Sequence, residues 1–122
     1  MPETAAANPM MKSAIVGTVL QLLMVVVGHY VPQVANLFPV VGTGIGGLAG
    51  ILNGLWGPKA SFPMTAGGGA VAGGVGGAIG TLVSSLLGDV PMSTLAIGVG
   101  STAGAGLVGG LIGKLLGGRS AG

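Results

Sequence analysis

The sequence predicts an all-α membrane protein, four transmembrane helices in a glycine-zipper-packed bundle. Three observations carry that expectation. Half of the 122 residues are hydrophobic and 5% are charged, whereas soluble domains carry about 25% charged residues. With a mean hydropathy of +0.92, the chain cannot cover a water-facing surface with polar groups. Four apolar runs, each close to the length of a bilayer crossing, occupy most of the chain. Within three of them glycine recurs at every fourth residue, the spacing that lets two helix backbones approach closely.

Residues 1–12 read as a short N-terminal tail without the arginine-rich pattern of a presequence. Lys12 opens the first apolar run, 13–31. It exceeds the usual apolar core of a signal peptide, and no small-x-small site follows Gly28-His29-Tyr30, so a retained membrane helix is expected. Its residues are bulky (Ile15, Val19, Leu20, Leu22, Leu23), which predicts that this helix shows the most surface to lipid.

Val31-Pro32-Gln33 ends the first helix, and Pro39 suits the first turn of the next. The second run, 39–56, carries Gly42, Gly46, Gly50 and Gly54 in an unbroken ladder and ends on Trp56, a residue type typical of the interface. Its helical length of about 27 Å falls slightly short of the ~30 Å hydrocarbon core, so a re-entrant hairpin is the competing reading.

Two prolines, Pro58 and Pro63, flank a turn containing Lys59. The third run, 64–87, is the richest in glycine. Gly69, Gly73 and Gly77 form its ladder, with Gly76 and Gly80 beside it. In water such a helix is penalised by about 1 kcal/mol per glycine relative to alanine. In a bilayer, unpaired backbone groups are so costly that the helix is retained. Gly88-Asp89-Val90-Pro91 stops it, with Gly88 suited to the left-handed cap. Ser93 or Thr94 can cap the fourth run, 94–116, whose small face is Gly98, Thr102, Gly106 and Gly110. The transmembrane domain is thus 13–118, and 119–122 reads as a polar tail.

Four spans put both termini on one side, together with Lys12, Lys59, Lys114 and Arg119, and put Asp89 on the other. The positive-inside rule then gives N-in and C-in, in a membrane expected to be a prokaryotic cytoplasmic one. Short similarities, such as Gly28-His29-Tyr30-Val31-Pro32 with Gly88-Asp89-Val90-Pro91, suggest two repeated helical hairpins.

The polar inventory excludes much chemistry. A net charge of +2 without a basic cluster argues against nucleic acid. Cysteine is absent, and one histidine cannot furnish a zinc site or a catalytic triad without converging partners. Gly42-Thr43-Gly44-Ile45-Gly46-Gly47 matches a dinucleotide fingerprint, but no acid follows about 20 residues later. No catalytic residue, cofactor or metal is expected. Gln21, at the midpoint of the first helix, is the most informative polar residue. It either bonds a neighbouring helix or lines a central pathway, where Ser84 and Ser85 could join it. His29 and Tyr30 read as an interfacial pair, or His29 as a partner of Asp89.

The expected role is non-enzymatic: a structural or interaction protein in the bilayer, forming homo-oligomers or serving a larger membrane complex. The alternative is a pore or small transport protein, including a holin-like one.

Overall fold

The computed structural model describes the backbone over residues 2–57 and 61–121, and side chains over 9–34, 36–57 and 61–117. Lys59 and the Arg119 side chain, on which part of the charge-based orientation rests, lie outside these residues. The described chain is helical, without a strand: α1 Pro2–Tyr30, α2 Pro32–Ala35, α3 Phe38–Trp56, α4 Phe62–Leu86 and α5 Thr94–Ala121. Four segments are long and apolar enough to cross a membrane: Pro9–Tyr30, Phe38–Trp56, Phe62–Leu86 and Thr94–Gly117. The protein is therefore an all-α, four-span bundle. α3 is one continuous helix, so the hairpin alternative for this run does not hold.

Two boundaries differ from expectation. Residues 2–12 extend α1 instead of forming a separate tail. Pro2 occupies the first turn, where proline is tolerated, and Ala5-Ala6-Ala7 favours helix. The last turns of α5 likewise continue to Ala121.

Each break has a local cause. Ser61 caps α4, its Oγ accepting from Met64 N–H at 3.3 Å. At the other end of α4, Gly88 takes φ +82. Its N–H donates to Ser85 O and that of Asp89 to Ser84 O, both at 3.0 Å, the paired bonds of a Schellman cap. The turn into α5 is closed by Thr94 N–H to Pro91 O, 2.9 Å, and Leu95 N–H to Met92 O, 3.0 Å.

In cross-section the bundle is a diamond. The most extensive contacts are α3 with α5 and α4 with α5; α1 lies against α4 and α3, and α3 and α4 touch across the short diagonal. α1 and α5 are the least buried spans and α4 the most, so α1 shares its lipid-facing position with α5. The two hairpins, α1–α3 and α4–α5, are packed unequally, the second far more closely.

Registers follow from the glycines. Along the parallel pair α3–α5, Gly46 faces Thr102, Gly50 faces Gly106 and Gly54 faces Gly110. Along the antiparallel pair α4–α5, Gly69 and Gly73 face Gly106, Gly77 faces Thr102, and Gly98 faces Thr81. A Cβ at Gly46 would lie 2.8 Å from Thr102 Cα, and one at Gly50 or Gly69 would overlap the carbonyl of Gly106. α1 joins through Pro9, Ser13, Gly17, Gln21, Val25 and Gly28, its buried positions among the described residues. A Cβ at Gly17 would meet that of Ala49 at 2.9 Å.

Candidate functional site

The bundle has two unlike halves. Towards the end that holds both termini, α1 presents the small residues Ser13 and Gly17. α3 and α4 close up there, with Gly46 O 3.0 Å from the Cβ position of Gly73. Asn53, 5% exposed, spans the same seam by donating from Nδ2 to Thr65 O at 3.3 Å. Towards the Asp89 end, α1 presents long side chains instead. Gln21 Oε1 and Met24 Cε each lie 3.5 Å from the Cβ position of Gly42, and Gln21 Cβ lies 3.0 Å from that of Gly80. Gln21 thus stands between α3 and α4, with Met24 beside it against α3.

The α3–α5 seam opens in the same half. Gly46 touches Thr102, but one turn further on no α5 atom comes within 4 Å of the Cβ position of Gly42. The result is a half-open cavity of about 330 Å³ bounded by all four spans. Gln21 and Met24 come from α1, Phe38 and Thr43 from α3, Ser84 from α4 and Ile97 from α5. Asn36, Val90 and Thr94 lie at its Asp89 end. Among the described residues, none of those lining it carries a charge.

Gln21 sits in the wall, 2% exposed, and donates from Nε2 to Gly42 O at 2.9 Å. The amide therefore ties α1 to α3 and borders the central space at once, so both sequence-based readings of it describe one position. Ser84 also lines the cavity, 2% exposed, and its Oγ has no hydrogen-bond partner. Ser85, expected to join them, is not among the lining residues. Thr102 and Ser101 are committed to their own helix: Thr102 Oγ1 donates to Gly98 O at 2.6 Å and Ser101 Oγ to the same oxygen at 3.3 Å.

At the Asp89 end, His29 Nδ1 lies 2.9 and 3.1 Å from the two carboxylate oxygens of Asp89. The Schellman turn at Gly88 brings Asp89 to this place, linking α1 to the α4–α5 turn. Tyr30 is 78% exposed and meets the His29 ring edge to face, with centroids 5.0 Å apart. Trp56 lies at the opposite end, 46% exposed. Near it, Lys114 Nζ stands 4.9 Å over the Phe62 ring.

All eleven glycines singled out in the sequence fall on helix faces, and ten of them are buried; Gly98 is half-buried against Thr81. Others contribute equally close approaches that the sequence reading passed over. Gly109 faces Gly47 O and Gly113 faces Ile51 O, a second four-residue step on α5. Thr65, also missed, is 2% exposed, with Oγ1 unpartnered beside the Asn53 bond. Isolated threonines carry no spacing signal, whereas the Gly109–Gly113 step was there to be read.

Among the described residues no three His, Cys, Asp or Glu side chains converge. Comparison of the chain with protein-family models, with curated proteins and with solved structures finds no match.

Proposed function

We propose that this small membrane protein is a non-enzymatic structural or interaction component of the bilayer, working as a homo-oligomer or as a subunit of a larger membrane complex. One observation carries the reading. In the half nearest the termini, backbones meet directly, Gly50 and Gly69 both on Gly106 and Gly54 on Gly110. These contacts act as a glycine zipper and leave no lumen between the spans. A single copy is then a sealed body, and Gln21 and Asn53 each tie two of its helices together. The orientation that fits the charge pattern is N-in and C-in, in a prokaryotic cytoplasmic membrane.

A second reading, a small transport protein, is favoured by the cavity on the Asp89 side. A space open towards one end and closed at the other is what a carrier holds in one of its states. The low charge count speaks against ion coupling, which uses intramembrane Asp, Glu or Arg.

Planar bilayers containing the purified protein separate these readings from a pore. No discrete currents are expected. A reproducible unitary current from the wild type would overturn the sealed-bundle reading. Mass determination after mild-detergent purification from the native membrane then tests the interaction role. A single copy without other polypeptides would count against it.

A further inference from the structure

The cavity has features that packing alone does not account for. Its volume, about 330 Å³, corresponds to at least ten non-hydrogen atoms at roughly 30 Å³ for each, the share of a liquid water molecule. Interiors are otherwise close-packed, with few voids larger than water. Its wall is mainly apolar, from Met24, Val25, Phe38, Val90 and Ile97. One residue of the wall, Ser84, has its Oγ buried without a partner. An unpaired hydroxyl in apolar surroundings is penalised by about 1–3 kcal/mol. Serine at a helical position ordinarily bonds a carbonyl of the preceding turn, as Thr102 does. Ser84 does not, and rotation about its χ1 alone redirects the hydroxyl. As placed the Oγ is inaccessible; such a turn would bring it to the cavity that the residue borders.

We propose that this cavity binds a small neutral amphiphile of the aliphatic-alcohol class, its hydroxyl meeting Ser84 beside Gln21 and its chain lying against Met24, Phe38 and Ile97. Neutrality follows from the lining. Among the described residues no Lys, Arg, His, Asp or Glu borders the space, so a charged group would lose its hydration without compensation. An alcohol hydroxyl both donates and accepts, which matches a serine hydroxyl free in both senses. The apolar wall selects a chain over a polyol or a cluster of water, since each buried water needs two to four polar partners. The site lies within one copy of the bundle and is independent of whether that copy serves as subunit or carrier.

The sequence has no cysteine, so one introduced thiol reports the cavity without background. Full-length Thr43→Cys and Thr81→Cys, both at lining positions, Thr81→Cys combined with Ser84→Ala, and Met11→Cys, exposed beside Lys12 at the opposite end of α1, are reconstituted in phosphatidylcholine nanodiscs. They are labelled with methyl methanethiosulfonate, a small uncharged thiol reagent. 1-Hexanol is titrated; where it fills about nine-tenths of the sites, labelling at positions 43 and 81 should slow about tenfold. Met11→Cys should be unaffected, which removes any general effect of hexanol on the bilayer or the reagent. Adding Ser84→Ala should move the protection of Thr81→Cys to higher hexanol concentration; protection left unchanged would overturn the contact with Ser84.

Protection by hexanoate and not by hexanol would overturn the neutral class. Labelling that neither compound slows would overturn binding and leave a space filled by water or lipid. Failure of both cavity thiols to react while Met11→Cys does would show the space to be closed, and would overturn the proposal.

Discussion

Replacing Gly106 with alanine adds one methyl group where three helices converge. The new Cβ would overlap Gly69 O and lie 3.0 Å from Gly69 C and 3.2 Å from Gly73 Cα, whereas ordinary contacts begin near 3.4 Å. These neighbours are backbone atoms of α4, so no side chain can swing aside and the whole helix must move. A radial gap of 0.5–1 Å forfeits roughly a quarter to a half of each dispersion contact along the seam. Overpacking of this kind costs about 1–3 kcal/mol, or roughly a 5- to 150-fold change in the folded-to-unfolded ratio.

Gly104, half a turn away on the same helix, supplies the control. Nothing lies within 4 Å of its Cβ position. Alanine there should be neutral, or stabilising by up to about 1 kcal/mol through helix propensity. Reversible unfolding in mixed dodecyl maltoside–SDS micelles, followed by circular dichroism, compares the two variants. Equal destabilisation by Gly104→Ala and Gly106→Ala would refute the assignment of α5's packing face. The double variant Gly69→Ala/Gly106→Ala should cost less than the sum of its parts, because one displacement of α4 relieves both clashes.

Further expectations concern the joints of the bundle. Gln21→Leu should cost about 0.6–2 kcal/mol by losing the bond to Gly42 O, read in the same unfolding assay; no loss would show that this bond does not hold α1 to α3. Gly88→Ala should cost about 1–2 kcal/mol, since a Cβ is strained at positive φ although space is open around it, and Gly88→Asn should recover part of that loss. Asp89→Ala should cost no more than about 1 kcal/mol, because its pairing with His29 is partly exposed; a much larger loss would show the pair to be a principal joint. Reporter fusions should find position 122 on the cytoplasmic side and the Asp89 turn on the opposite side; the reverse would sink the orientation drawn from the charges.

Much of this architecture is written in the sequence because its signals are local or periodic. Four apolar runs, the prolines between them and Gly88 before Asp89 set the number of spans and the place of their ends. A positive-φ cap needs glycine wherever the chain goes next, so Gly88 was legible without a fold. The four-residue ladders on the second, third and fourth runs pointed to faces of small residues, and ten of the eleven glycines on them are buried. The first helix was harder to read. Its buried stripe mixes Ser13, Gly17, Gln21 and Val25, residues that share size or polarity with no common pattern, and its bulky positions drew attention to the lipid face.

Tertiary structure alone decided which ladders pair, and in which register. Glycine faces are interchangeable in sequence, and only the joint fit of four helices sets Gly50 against Gly106 and leaves α1 and α5 on the long diagonal. It also decided that the bundle has unlike halves. Met24 is one apolar side chain among many in its run, and Gln21 a lone amide with two readings, until the fold sets both in the wall of a cavity beyond the glycine contacts. The partnerless Ser84 hydroxyl has the same origin, for whether a serine is satisfied depends on which neighbours the other three helices bring to it.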